Sequence, residues 1–323
     1  MQLPPELREA IEEAAGAWRP SDLAVAAAEI HNSYLESGRA AMPSGRHAAA
    51  YCATRMPATY AAAVHVLREV RLAAPEAAVD SLLDLGAGPG TMLWATGTVF
   101  DTLQRATLFE PDRCMRETGQ DLARRAPLPA RWEALALEAS PAWRQHALVA
   151  LSYVLGELDE ARASAALERA WQAASAVLVV IEPGTPAAFA RLRHWREQLV
   201  SWGAHLLAPC PHAGPCPMQA GDWCHFAQRV ERTALHRYLK GGALGHEDEK
   251  FCYIAAGRVP GRPAAARILR HPLHEPGRIR LALCTPEGLR PRDAIKRHKD
   301  EYRLARKAHW GGRWDYFAQR NPV

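Results

Sequence analysis

Two groups of residues in this 323-residue chain have the types and spacing to do chemistry. The first is a set of thiols. Cys210, Cys216 and Cys224 form a C-x5-C-x7-C array, and prolines flank the first two in Pro209-Cys210-Pro211 and Pro215-Cys216-Pro217. Proline fixes φ and removes a backbone donor, so such loops are stiff without joining a helix or a sheet. Stiff loops that present thiols make good chelators of a soft metal, and three thiols leave a tetrahedral or cubane site one ligand short. Cys252, Cys284, His212 and His225 are the candidates for the fourth. Cys252 alternates with apolar neighbours in Phe251-Cys252-Tyr253-Ile254 and reads as a buried thiol. Cys284 ends an apolar run just before the turn Thr285-Pro286-Glu287-Gly288, so it is better placed. The spacing leaves zinc and an iron–sulfur cluster both open. Cys52 and Cys114 lie in helical contexts and read as core or surface thiols.

The second group is the loop Asp84-Leu85-Gly86-Ala87-Gly88-Pro89-Gly90, which follows the apolar run Ser81 to Leu85. Glycine lets a backbone approach a ligand closely, and the helix start that follows offers unpaired N–H groups. Glu110 ends the next apolar run, where its carboxylate can point into the same crevice and accept from two ribose hydroxyls. A dinucleotide fingerprint would need glycine at position 91, and Thr91 stands there. The G-x-G-x-G form after an acidic strand residue resembles class I methyltransferases and implies S-adenosylmethionine (SAM) as the ligand. In such enzymes the end of the fourth strand faces the methyl group. Ser152 and Tyr153 hold that place here, able to position an acceptor nitrogen or to stack on a base.

These groups need elements to hold them. Residues 1–79 read as a helical region, with Leu7, Ile11, Ala14 and Ala15 on one face and Val64, Leu67 and Val70 spaced alike. From residue 80 the pattern alternates. Apolar strands are expected at 81–85, 106–110, 131–137, 147–153 and 176–182, with helices near 91–99, 112–125, 159–174 and 186–201. Near-continuous apolar strands between helices predict a doubly wound, parallel α/β sheet covered on both faces, a Rossmann-like SAM-methyltransferase domain over 80–257. Thr185 can cap the last helix and Pro186 suits its first turn. Residues 208–225 form a Cys-rich loop inserted in that domain. Residues 258–323 are a third region, with a strand at 278–283 and a helix from about Pro291 to His309.

The net charge of +5 is unevenly spread. Residues 258–323 carry 16 Lys/Arg against 6 Asp/Glu, and the preceding residues carry 24 against 29. A basic segment on a mildly acidic body suits contact with nucleic acid. No stretch of 18 apolar residues occurs, so no membrane span is expected. The start, Met1-Gln2-Leu3-Pro4-Pro5, has no export pattern, so the chain is expected in the cytoplasm with reduced cysteines.

The combined motifs resemble a known family. They are Ala208-Pro209-Cys210-Pro211-His212, Gly214-Pro215-Cys216-Pro217, Asp222-Trp223-Cys224-His225-Phe226, Cys284-Thr285-Pro286-Glu287-Gly288 and Ala305-Arg306-Lys307-Ala308-His309-Trp310-Gly311. Upstream, Arg55-Met56-Pro57-Ala58-Thr59-Tyr60 and Glu182-Pro183-Gly184-Thr185-Pro186 fit as well. Together they look like the small-ribosomal-subunit methyltransferase-like family of bacteria and mitochondria. The resemblance implies a class I methyltransferase fold, a role with the small ribosomal subunit and its rRNA, and a [4Fe-4S] cluster held by Cys210, Cys216, Cys224 and Cys284. It places iron–sulfur ahead of zinc. The reading is therefore a SAM-dependent methyltransferase acting on or with that subunit. A catalytically inactive SAM and iron–sulfur assembly factor is the alternative, and a zinc-bearing RNA-binding protein is the third. A cluster clipping Cys284 to the upstream loop would restrain a long segment. Limited proteolysis of Cys284→Ser is expected to cut the C-terminal segment sooner than in the parent chain. An unchanged digestion pattern would sink that expectation.

Overall fold

The computed structural model describes residues 1–37, 42–126, 128–137 and 143–316. The chain divides into two compact units. The first comprises Met1–Arg68, Ala77–Val180 and Gln228–Glu249, and the second Glu69–Glu76, Ile181–Ala227 and Lys250–Val323.

The first unit opens with helices α1 (Pro5–Gly16), α2 (Pro20–Ser37), α3 (Gly45–Thr54) and most of α4 (Met56–Ala73). Leu7, Ile11 and Ala15 are buried along α1 as their spacing requires, and Val64, Leu67 and Val70 along α4. An alternating run follows: β1 (Ser81–Leu85), α5 (Thr91–Val99), β2 (Arg105–Phe109), α6 (Arg113–Ala123), β3 (Ala130–Glu133), β4 (His146–Ser152), α7 (Glu160–Ala173) and β5 (Ala174–Pro183). Strand β1 lies parallel between β2 and β4, and β2 is parallel to β3. The order β3-β2-β1-β4-β5 is that of a Rossmann-like sheet, whose strand order reverses beside β1. All five residues of β1 are buried, as a strand covered on both faces must be. The expected parallel α/β core is therefore present, with β3 ending at Glu133, four residues short of the predicted end. Strand β7 (Phe226–Glu231), helix α9 (Ala234–Leu239) and the start of β8 (His246–Gly257) complete the unit; β7 and α9 were not anticipated.

In the second unit, α8 (Pro186–Ser201) starts as the sequence predicts. The Thr185 hydroxyl accepts from the Ala188 N–H at 3.2 Å, and Pro186 occupies the first turn. Strand β6 (His205–Ala208) pairs antiparallel with the end of β8, so the sheet is mixed. The Cys-rich stretch after Ala208 carries no strand or helix until Phe226. A second sheet is built from β9 (Arg267–Ile268), β10 (Leu273–Glu275), β11 (Arg278–Thr285) and β12 (Gly288–Ile295). Ile279, Leu281 and Leu283 alternate inward from β11 onto Ile268, Ala294, Ala305 and Trp314.

One expectation is corrected. Residues 291–295 are not the start of a helix but the second arm of the β11–β12 hairpin, and α10 spans only Lys299–Ala305. Gly288 turns the hairpin at φ +107°, and Asp293 on β12 pairs with Arg278 and Arg280 on β11. These cross-strand ion pairs and the burial of Ala294 outweigh the helical spacing of the later residues.

Arg267 on β9 is almost wholly buried. Its Nε donates to the Pro209 carbonyl at 2.9 Å and its Nη1 to the Gly311 carbonyl at 2.8 Å. Its Nη2 lies 2.8 Å from a carboxylate oxygen of buried Glu69. Removing one partner of a buried pair strands the other charge, which costs about 3–5 kcal/mol. Glu69→Gln is expected to lower the urea-unfolding free energy by that amount. A loss below about 1 kcal/mol would show that Arg267 does not depend on its anion.

Candidate functional site

The cleft of the first unit is built around the turn from β1 to α5. Gly86, Gly88 and Gly90 all take positive φ (+75°, +55° and +84°), which residues with a Cβ adopt at a cost. At Gly86 a Cβ would also lie 2.4 Å from the Val154 side chain, so that position has no room for one. The turn opens onto a cavity of about 440 Å³, a size suited to a small cofactor. Asp84, Gly86, Gly88, Glu110, Ser152 and Tyr153 all line it, whereas Gly90 stands behind the turn as the cap of α5.

Asp84 and Glu110, the two buried carboxylates of the cleft, are held differently. Glu110 is held by a backbone donor on each oxygen. Its Oε2 accepts from the Gly88 N–H at 2.7 Å and its Oε1 from the Asp112 N–H at 2.8 Å. Burial raises its carboxyl above the usual range, and the two backbone donors oppose that shift. Asp84 is fully buried at the foot of the cleft, and neither of its carboxylate oxygens has a hydrogen-bond partner. Burial, with the nearby charge of Glu110, pushes its carboxyl up to about 8. Buried polar groups are ordinarily paired, so two orphaned oxygens facing a cavity mark a place for a ligand.

Ser152 and Tyr153 sit together at the end of β4. Tyr153 has φ +58°, a strained value for a residue with a large side chain. Its hydroxyl donates to Glu249 Oε1 at 3.1 Å, and Arg55 donates to both oxygens of Glu249 at 3.2 and 3.3 Å. Motif reading gave Arg55 and Glu249 no role. They lie 194 positions apart, and no local signal joins them.

The second unit brings the four predicted thiols together. Cys210, Cys216, Cys224 and Cys284 line one cavity, walled by Phe189, Leu192, Pro211 and Met218 and flanked by Arg196 and Arg267. No carboxylate lines it. Arg196, buried on α8, shapes the Cys-rich loop by donating to the carbonyls of His212 and Gly214 at 2.9 and 2.6 Å. Cys284 lies opposite Arg267 in the β9–β11 pairing. Of the fourth-ligand candidates, Cys284 and His212 reach the cavity, with His212 Nε2 3.9 Å from Cys284 Sγ. Cys252 instead donates to the Pro183 carbonyl, and His225 stacks on Trp223 and meets Trp310 edge to face. Burial and then the neighbouring cysteines push the Cys284 thiol up to about 12 and the Cys216 and Cys224 thiols up as well. Thiols so placed stay protonated unless a cation enters among them. Among the described residues no three His, Cys, Asp or Glu side chains close on a single metal ion.

The basic segment spends part of its charge internally. Arg278 and Arg280 pair with Glu275 and Asp293, Arg292 with Glu301, and Arg270 with Asp222. Arg290, Lys296, Arg297, Lys299, Arg306 and Lys307 enter no ion pair among the described residues. No helix among those residues is long and apolar enough to cross a membrane.

Comparison with known proteins returns a family model and several relatives. Human ribosome assembly protein METTL17, mitochondrial, is 27% identical over 286 residues, covering 81% of this chain and 61% of the relative. The Rsm22-cox11 tandem protein 2, mitochondrial, of Schizosaccharomyces pombe is 24% identical over 317 residues, covering 81% and 42%. The chain thus spans less than two thirds of these relatives. Among solved structures, a putative RNA methyltransferase from Pyrococcus horikoshii has a TM-score of 0.40 at 13% identity, covering 61% of this chain and 84% of that one. The magnesium protoporphyrin IX methyltransferase of Synechocystis with bound SAM has a TM-score of 0.40 at 11% identity, covering 72% and 97%. The family model, described as mitochondrial small ribosomal subunit Rsm22, matches residues 45–315, a span that includes the glycine turn, Glu110 and all four cavity cysteines. This chain belongs to the Rsm22 family.

Proposed function

We propose that the chain is a SAM-binding, methyltransferase-like protein of small-ribosomal-subunit assembly, with a four-thiolate iron–sulfur cluster in its second unit. The observation that carries the SAM reading is Asp84, a buried carboxyl whose two oxygens are unpaired beside a cavity of about 440 Å³. A cationic ligand group such as the ammonium of SAM is the partner that position lacks. The Glu110 carboxylate, held in place by the Gly88 and Asp112 N–H groups, offers remaining acceptor capacity to ribose hydroxyls of the cofactor. SAM, when bound, supplies an electrophilic methyl group. Ser152 and Tyr153 border the cavity where an acceptor base would be positioned, and positioning contributes most of the catalysis in such a displacement.

A second reading, an assembly factor that binds SAM without transferring methyl groups, is favoured by one observation. The Tyr153 hydroxyl is spent on Glu249, and Glu249 is paired with Arg55. Neither is set to take a proton from an acceptor.

The cluster reading rests on its donor set: four thiols, apolar walls and no carboxylate around one cavity. Arg196 and Arg267 would offset the negative charge of a thiolate-bound cluster, which supplies a rigid crosslink between the Cys-rich loop and β11. The unpaired cations at Arg290, Lys296, Arg297 and Lys299 suit ribosomal RNA as the partner.

The Asp84 carboxyl is raised in the folded state from 3.8 to about 8. The folded chain therefore holds a proton that the unfolded chain would release. Its contribution to stability is full below the unfolded value and is lost as pH rises through about 8. Melting curves of the ligand-free chain should show that decline, and Asp84→Asn should flatten it. A cation bound at Asp84 favours the ionised form. Calorimetry near neutral pH, in buffers of differing ionisation enthalpy, should then read release of about one proton per SAM bound. Unchanged proton release in Asp84→Asn would reject the assignment.

Methyl-labelled SAM incubated with immature small subunits separates the two readings. Label on the RNA indicates transfer, and tight binding without label indicates the assembly factor. Anaerobically purified protein should contain iron and sulfide with broad visible absorbance. Zinc without iron would replace the cluster with a mononuclear site.

A further inference from the structure

A second cavity in the second unit, of about 220 Å³, is lined by Leu304, Lys307, His309, Arg313, Trp314 and Asp315, among others. It shares no lining residue with the thiol cavity. Its polar groups are mostly donors, and several are unspent. Arg313 Nε donates to Asp315 Oδ2 at 3.0 Å and its Nη2 to the Arg262 carbonyl at 3.1 Å, while its Nη1 is buried without a partner. Trp314 is 3% exposed, and its Nε1–H is likewise buried with no acceptor. Lys307 is exposed and enters no ion pair among the described residues. The one carboxylate, Asp315, is committed: Oδ1 accepts from the Ala265 N–H at 2.8 Å and Oδ2 orients Arg313.

Two buried donors without acceptors, beside a free ammonium, ask for an anionic ligand rich in acceptors. A carboxylate would satisfy one fork of donors. A phosphate offers oxygens in several directions, and Lys307, Arg313 and Trp314 all line the cavity. The cavity is larger than a bare oxyanion needs, which leaves room for an adjoining sugar. Arg306, next to Lys307, is exposed and also outside any ion pair, so cations continue beyond the cavity as a polyanion requires.

We propose that this cavity binds a backbone phosphodiester of RNA, with Lys307, Arg313 Nη1 and Trp314 Nε1 as its donors. The choice of RNA rests on the ribosomal reading above; the anion site itself does not.

The test uses the full chain and a short fluorescein-labelled single-stranded RNA, read by anisotropy across a salt series. Lys307→Gln is expected to weaken binding about 3- to 10-fold and to reduce the slope of log affinity against log salt by about 0.7, one phosphate contact. Trp314→Phe keeps an aromatic ring in the core and loses the N–H; it should weaken binding by a similar factor. Lys299→Gln, outside the cavity, serves as the comparison. Inorganic phosphate is added in parallel and its effect on melting temperature is recorded. Equal effects of Lys307→Gln and Lys299→Gln, with wild-type affinity in Trp314→Phe, would overturn the cavity and leave RNA binding in place. Phosphate that stabilises the parent chain but not Lys307→Gln, with RNA affinity unmoved, would overturn RNA as the ligand in favour of a free anion. A parent chain that fails to bind RNA at low salt would reject the ribosomal reading, and the phosphate arm would then decide the cavity alone. Should Trp314→Phe fail to fold, the exposed Lys307 carries the test.

Discussion

A single buried guanidinium organises the second unit. Arg267 is costly to bury unless its charge is compensated, and the fold brings two carbonyl acceptors and a carboxylate from three stretches of chain: Pro209, Gly311 and Glu69. Pro209 begins the Cys-rich loop, and Gly311 belongs to the end of the described chain. These stretches must therefore converge before the charge is compensated. Cys284, the cross-strand neighbour of Arg267, is brought to the thiol cavity by the same convergence. The position of the fourth thiol is thus a consequence of how one cation is satisfied.

The first unit follows an opposite logic. Two of its buried carboxylates, Asp84 and Glu110, share one cleft, and only one is provided for. Glu110 accepts from two backbone N–H groups and ties the glycine turn to the end of β2. Asp84, immediately before that turn, is given burial and no partner. A protein can hold such a group only in its neutral form or against a ligand. One carboxylate shapes the turn and the other keeps the cleft chemically unfinished.

Much of this was legible in the residues. The glycine turn, the strands and helices around it and the cap at Thr185 follow from local rules, because glycine spacing, apolar runs and capping act within a few residues. The three thiols at 210, 216 and 224 stand out by spacing; the turn after Cys284 favours it among several candidates for a fourth, and only the family resemblance singles it out. The β11–β12 hairpin was misread because its ion pairs lie across the strands, where helical spacing along the chain cannot register them. Arg55, Glu249, Glu69 and Arg267 escaped for the same reason. Each works through a partner tens to hundreds of positions away, and a charged residue carries no mark of whether it will be buried. Asp84 was found as part of a motif, but its want of a partner is visible only in three dimensions.

The spacing of the thiols along the chain also has a temporal side. During synthesis the loop bearing Cys210, Cys216 and Cys224 leaves the ribosome long before β11 has been made, and Arg267 comes between them. For that interval three thiols wait without the fourth, and the cation that will organise their loop has not been translated. The thiol cavity therefore holds all four of its cysteines only once β11 has been made.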